Sequence, residues 1–419
     1  MENRIYTVAI LGVGARGGNA YGKLIMKKPD KFKIVALCDP REDRLSHFGE
    51  MFGVPLSERF TSEDEFFEKK RADILLVTTL DTLHVRQCIR AFEAGYDVLL
   101  EKPITDKLEE CRALLDVQKK HGNRALVCHV LRYAPAYVKL SEILDSGRLG
   151  RLISMNWTEP VGYWHQAHSY VRGNWRNTDI SAPMILAKSC HDLDLLQFYA
   201  KSRCRSVSSV GSLAFFNEAN APENTADRCT DCRLVDSCPY SAKRIYIERW
   251  HEAGEPADSW PYNVPVMAPV TEEKLYEAIR VGDYGRCVFR CDNNVVDNQL
   301  VQMQFENGVT ATLTMNAFNI GGGRKVSFYC SLGEIYMDEK EIAIRPFGAP
   351  EEHIDLSEIE DIDYAHGGGD AKLIDSLYGM MSGDLRMVTT LEESVESHLM
   401  GIAAERSRIN GGSLEYIHS

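Results

Sequence analysis

The sequence predicts an α/β chain in two parts. A parallel sheet wrapped by helices on both faces comes first. A second α/β domain follows, built on a large open, mostly antiparallel sheet. Three observations carry this expectation. Through residue 128, short continuous apolar runs alternate with helix-length segments, as strands buried on both faces require. A glycine-rich turn follows the first run. Beyond residue 150, apolar and polar residues alternate along strand-length stretches separated by turn formers.

Each element has its own justification. Residues 6–11 form the first strand and stop at glycines; 15–26 follow as a helix. Further strands are expected at 32–37, ending at Asp39-Pro40, and at 74–78, 98–101 and 125–130. Helices are expected at 85–94 and 106–120. In the second part, 152–157, 206–214, 301–305, 310–316, 325–330 and 334–338 read as strands, with Asn307-Gly308 turning a hairpin. A helix over 189–200 covers one face, and residues 370–410 are helical. The resulting division is 1–128 for the first domain and 129–419 for the second. Residues 217–296 carry Cys, Pro and Trp with little periodicity, and read as an insertion.

Composition excludes several classes. The chain has 419 residues, 44% apolar and 26% charged, with a net charge of −13. That is ample for a full core and too acidic for wrapping nucleic acid or docking on anionic lipid. No apolar run is long enough to span a bilayer, and the N-terminal residues lack a signal core. The expectation is a cytoplasmic protein. Twelve cysteines are too sparse for a disulfide scaffold.

Gly12-Val13-Gly14-Ala15-Arg16-Gly17 sits between a strand and a helix. The first glycine permits the tight turn, the second lets backbone approach a pyrophosphate, and the third lets helix pack on strand. Asp39 ends the second strand, where a carboxylate holds the ribose hydroxyls. This is the fingerprint of a Rossmann dinucleotide-binding domain. Asp39 repels a 2′-phosphate and so favours NAD; Arg41 and Arg44 leave NADP open.

Further segments carry a family resemblance. Val77-Thr78-Thr79-Leu80-Asp81-Thr82-Leu83-His84 resembles V-x-T-P-x-x-x-H. Residues 94–103, ending in Glu101-Lys102-Pro103, resemble A-G-x-x-V-x-x-E-K-P. Arg132-Tyr133-Ala134-Pro135, Gly147-Arg148-Leu149-Gly150 and His191-Asp192-Leu193-Asp194-Leu195 resemble later marks. Together they resemble the Gfo/Idh/MocA oxidoreductases, the glucose–fructose oxidoreductase and inositol dehydrogenase group, over nearly the whole chain. The resemblance implies a sugar or cyclic polyol bound between the two domains, and homodimers or homotetramers formed through the open sheet. It also implies cofactor contacts at Thr78, His84 and Glu101, and a substrate contact at Arg132. Two positions depart from the pattern. Ala187 stands where many members have Asp, and Leu80 stands where they have Pro.

Oxidising a secondary alcohol needs a group to take the hydroxyl proton. Lys102 ends a strand at the cofactor edge, and the resemblance places it on the reacting hydroxyl. His191 opens a helix and assists. Lys188, three residues earlier, takes the place of the missing acid as a substrate donor. Asp192 and Asp194 are expected to cap the helix or pair structurally. Tyr163, His165, His168, Trp175 and Arg176 form an aromatic and basic cluster suited to a sugar. His366-Gly367-Gly368-Gly369-Asp370 reads as a loop closing over substrate, or as a linker and helix cap. Cys229, Cys232 and Cys238, with Cys291, Cys287 or His251 completing the set, are expected to hold a structural zinc that staples the insertion. The function expected is an NAD(P)-dependent dehydrogenase of a sugar, glycoside or polyol. The alternatives are a redox-neutral enzyme forming a keto-sugar on tightly held NAD, and a non-catalytic NAD-binding regulator.

Overall fold

Strands without polar alternation must be covered on both faces, and the first sheet meets that demand. The computed structural model describes residues 4–338, 340–359, 365–386 and 388–418. Six strands form the first sheet: β1 (Tyr6–Leu11), β2 (Phe32–Cys38), β3 (Arg59–Phe60), β4 (Ile74–Val77), β5 (Asp97–Leu100) and β6 (Ala125–Val127). Their order is β3-β2-β1-β4-β5-β6, and every neighbouring pair is parallel. Ile10, Leu76 and Leu99 pack on one face; Ala9, Leu75, Val77 and Val98 pack on the other. The order reverses between β1 and β4, which opens a crevice at the carboxyl ends of these strands.

The helix expected over 15–26 begins instead as a π-helical turn, Ala15–Gly22, and continues as an α-helical turn, Lys23–Met26. Such wide turns concentrate at functional sites. Gly18 lets this turn lie against the helix Glu42–Met51, since a Cβ there would meet the Phe48 ring at 2.5 Å.

The second sheet has nine strands in the order β14-β13-β12-β11-β7-β10-β9-β8-β15. They are β7 (Leu152–Gly162), β8 (Cys204–Ser212), β9 (Asn298–Phe305), β10 (Thr310–Asn319), β11 (Lys325–Cys330), β12 (Gly333–Met337), β13 (Glu341–Pro346), β14 (Glu352–Asp355) and β15 (Glu415–Tyr416). β7 and β10 pair in parallel and every other neighbouring pair is antiparallel. Val301, Met303 and Phe305 face a core shared with the helices Cys190–Ala200 and Leu391–Ile409. The outer face leaves Ile153, Val210, Leu300 and Tyr329 exposed.

Two findings differ from the sequence reading. The helix Gly369–Ser382 buries Leu373, Ile374 and Leu377 against the first sheet, so the tail returns to the dinucleotide-binding half. The insertion is not a loose loop either. Phe216, Ile245, Tyr246, Trp250, Leu275, Ile279 and Phe289 form its own apolar core, which also takes in Cys229 and Cys287. The helix Glu272–Val281, capped by Thr271, belongs to it.

Candidate active site at the strand ends

The glycine-rich turn is shaped by close approach. Gly12 has φ +92°, and a Cβ on it would lie 2.7 Å from the Thr78 carbonyl. A Cβ on Gly17 would lie 2.1 Å from the Gly12 carbonyl and 2.4 Å from Thr78 Oγ1. Thr78 Oγ1 donates to the Gly12 carbonyl at 2.8 Å. Gly14 differs, because a Cβ there would meet only the end of the Arg44 side chain, at 3.4 Å. Two glycines are therefore fixed by packing, and the third leaves its backbone accessible at the head of Ala15–Gly22. Asp39 is buried at the end of β2, accepting from Val13 N at 2.9 Å and Arg41 N at 3.0 Å. A pyrophosphate over Gly14 and ribose hydroxyls at Asp39 fit this cradle.

Arg16 runs from the turn to the end of β5. Its Nε meets Glu101 Oε1 at 2.7 Å and its Nη2 meets Asp370 Oδ1 at 2.6 Å. Tyr21 also donates to Glu101, at 2.7 Å. Burial opposes ionisation of Glu101 most strongly, yet Arg16 and then Lys102 hold it below the usual carboxylate range. Glu101 Oε2 accepts from the backbone N–H of Lys102 at 2.7 Å, which fixes the residue at the strand end. Lys102 Nζ donates to the Ala187 carbonyl at 3.1 Å and lies 6.0 Å from the Trp175 ring centre. The strand end thus reaches the turn of the second domain that carries Lys188 and His191.

His191 is buried, and burial, then Lys102, His129 and His366, hold its imidazole well below its ordinary value. It is neutral near pH 7. Lys188 Nζ lies 3.2 Å from Glu159 Oε1. Glu159 Oε2 meets Arg324 Nη2 at 2.6 Å, and Arg324 Nε meets Asp192 Oδ1 at 2.5 Å. Trp157 Nε1 donates to the same Asp192 oxygen at 2.9 Å. Two buried acids, Glu159 and Asp192, thus sit against two partly buried bases, Lys188 and Arg324. Burial, against Arg324 and with the help of Glu159, pushes Asp192 up to about 6.

Several expected site residues are bound elsewhere. Arg132 makes a two-pronged bond to buried Asp194, at 2.7 and 2.8 Å, so Asp194 pairs structurally and does not cap a helix. His84 links the Pro103 carbonyl, at 2.8 Å, to the Thr79 carbonyl. His168 bonds the Tyr246 hydroxyl at 2.7 Å inside the insertion core, and Arg176 bonds Asp292 at 2.7 Å. Tyr163 packs against Tyr240. Trp175 is the aromatic residue the fold brings to Lys102. Glu159, Arg324 and His129 escaped the sequence reading because none lies in a recognisable motif. Only the glycines 321–323 before Arg324 mark a special turn.

The zinc expectation finds no support in the structure. Among the described residues no group of three or more His, Cys, Asp or Glu side chains is placed to hold a metal. Cys229, Cys232, Cys238 and Cys291 do not converge as ligands. Arg172 donates to Cys229 Sγ at 3.5 Å, and the Cys291 thiol donates to the Cys287 carbonyl at 3.2 Å. Burial pushes the Cys291 thiol up to about 11. The insertion has a core of packed aromatic and aliphatic side chains, which includes Cys229 and Cys287 and has Cys291 against it.

The buried histidines set an acid limit. Burial is the largest cause holding His129, His165, His168, His191 and His398 below their ordinary values, with His168 and His398 at about 3. A histidine depressed in the folded state takes up protons mainly on unfolding. Its stability contribution is present above the unfolded value, about 6.5, and falls as the pH drops below it, by about 1.4 kcal/mol per pH unit each. Asp192, raised to about 6, acts in the opposite sense and offsets one of the five. Denaturant midpoints should therefore decline steadily from pH 7 to pH 5; a flat profile would contradict neutral burial of these rings.

Comparison with known proteins agrees with this geometry. Residues 6–129 match the Gfo/Idh/MocA oxidoreductase family, NAD-binding Rossmann fold, and residues 141–415 match that family's C-terminal alpha/beta domain. The chain belongs to this family. It is 23% identical over 392 residues to YteT of Bacillus subtilis, covering 88% of each. It is 25% identical over 214 residues to scyllo-inositol 2-dehydrogenase (NAD(+)) of the same organism, covering 51% of this chain and 59% of that one. The structure of the WlbA dehydrogenase of Chromobacterium violaceum, in complex with NADH and UDP-GlcNAcA, superposes with a TM-score of 0.68 at 17% identity, covering 99% and 97% of the two chains. The chain is thus an NAD-binding oxidoreductase of this family. Among the described residues no helix is long and apolar enough to cross a membrane.

Proposed function

We propose that this family member oxidises a secondary alcohol of a sugar, glycoside or cyclic polyol with NAD. The observation that supports it is the meeting of Lys102, from the first sheet, with the Ala187 turn and neutral His191 of the second domain. Gly12, Gly14 and Gly17 would cradle the dinucleotide and Asp39 its ribose. NAD, when bound, supplies the hydride acceptor. Lys102 orients the hydroxyl and moves its proton, and His191 is the adjacent group free to receive it. Lys188, fixed by Glu159, presents a donor to a neighbouring hydroxyl. Trp175 offers an apolar face to the ring. The inositol dehydrogenase relative makes a polyol a natural first substrate to test. The exposed apolar side chains on the outer face of the second sheet suit self-association, and we read the protein as a homodimer or homotetramer in the cytoplasm.

The cofactor assignment has its own test. Asp39→Ala removes the carboxylate that favours free ribose hydroxyls. It should weaken NAD more than NADP in binding titrations, and an unchanged preference ratio would remove Asp39 from the ribose site.

A second reading keeps the dinucleotide bound through a redox-neutral cycle. What favours it is the insertion: Asp258 pairs with Lys23, beside the glycine-rich turn, and Met267 packs against the first sheet's core. Such a strap slows cofactor release. Altered sugar without accumulated NADH would support this cycle; NADH formed in step with product would support net oxidation.

A further inference from the structure

A proton delivered to His191 has to leave a closed site. His191 is 7% exposed, and its Nδ1 has no hydrogen-bond partner among the described residues. Three imidazoles bear on where that proton goes. His129 lies 6.0 Å from His191, between ring centres, and His398 lies 5.8 Å beyond His129. Both are fully buried; neither ring nitrogen of His129 has a hydrogen-bond partner among the described residues, and its Nε2 lies 3.8 Å from Asp194 Oδ1. That branch consists of fully buried rings, and Asp194 beside His129 is already held by Arg132. His366 is the other imidazole against His191, at 6.2 Å, and 38% of its side chain is open to solvent.

His366 is held as a proton carrier needs to be. Its Nδ1 lies 3.1 Å from Asp370 Oδ2, and Asp370 is anchored by Arg16. A carboxylate at Nδ1 selects the tautomer protonated there and leaves Nε2 as the acceptor. The backbone at His366 is left-handed, φ +55°, followed by Gly367 at +60° and Gly368 at +93°. A residue with a Cβ is disfavoured in this region, and such strain collects where a side chain must be aimed.

We propose that His366 relays the proton between His191 and water. The proposal rests on the site assignment of Lys102 and His191 above. In the step itself, the N–H bond of the His191 imidazolium breaks and one forms at Nε2 of His366. The proton then passes to water, and no electrons are exchanged. His366 acts through His191, and Asp370 positions it.

The test compares His366→Gly, His366→Asn and Lys102→Ala on a panel of inositols, hexoses and methyl glycosides with NAD. Glycine and asparagine both accept this left-handed backbone, so the loop keeps its shape. Both His366 variants should lose about 100-fold in kcat, the scale of a proton-transfer group, with KM and NAD affinity little changed. Imidazole in the medium should restore much of the rate to His366→Gly and none to Lys102→Ala. A second readout needs no turnover: ¹⁵N-histidine spectra of the protein without added cofactor should show neutral His366 protonated on Nδ1, assigned by its loss in His366→Gly. Wild-type rates in His366→Gly, a loss that imidazole leaves untouched, or a proton on Nε2 would each overturn the relay. Retained activity in Lys102→Ala, or a wild-type protein silent on the whole panel, would overturn the site assignment beneath it.

Discussion

Replacing Lys102 by alanine should lower kcat by about 10²–10⁴-fold and leave NAD affinity close to wild type. The side chain lies at the end of β5, beyond the glycine turn, and its Nζ donates to the Ala187 carbonyl. Its hydrogen bonds among the described residues go to Glu101 and Ala187 and not to Gly12, Gly14 or Asp39, so the cradle should survive the change. The neighbouring Glu101 keeps Arg16 and Tyr21 as partners, which limits structural damage. Steady-state kinetics with binding titrations would separate the two effects. Full activity would remove Lys102 from proton transfer. Equal loss of NAD affinity would mark it as a cofactor ligand instead.

Replacing Arg324 by methionine should cost about 3–5 kcal/mol of stability, the usual consequence of removing one partner from a buried ion cluster. Arg324 bonds both Glu159 and Asp192, whose side chains are 3% and 0% exposed. Without it, Lys188 remains as the cation on Glu159, and Asp192 keeps only the neutral Trp157 donor. The arginine side chain is itself only 13% exposed, so solvent does little to screen the loss. Asp192→Asn added to Arg324→Met should recover part of the deficit, since it removes one orphaned charge. Chemical denaturation of the three proteins measures both. A loss under about 1 kcal/mol would show that the cluster relaxes or admits water.

The sequence carried the chain's architecture where periodicity and turn chemistry act locally. The continuous apolar runs of β1, β4 and β5 required a covered parallel sheet, and the alternation in β9 and β10 required a half-open one. Asn307-Gly308 turned the hairpin between them, with Gly308 at φ +87°. The glycine turn and the ends of β2 and β5 were legible because close approach leaves a fixed residue pattern. What stayed hidden depends on contacts distant in sequence. The edge strands β14 and β15 are short, and pairing rather than composition defines them. Arg132 looked available for substrate until Asp194, 62 residues away, took both prongs of its guanidinium. Glu159 and Arg324 meet across the second sheet, and no spacing rule joins them. The insertion's apolar core was hidden for the same reason: C-x-x-C points to a ligand pair, while the packing of Cys229 and Cys287 depends on residues far along the chain.

On this reading Lys102 and His191 serve hydride removal from a sugar or polyol carbinol carbon. Isotope tracing tests it most directly. Inositols and hexoses deuterated at their carbinol carbons would be incubated with the protein and NAD, and both the nicotinamide and the sugar recovered for mass spectrometry and NMR. Deuterium should appear on the nicotinamide, with a matching keto-sugar, and Lys102→Ala should lose that transfer. Sugar chemistry proceeding with deuterium fully retained at every carbinol carbon and none on the nicotinamide would contradict it.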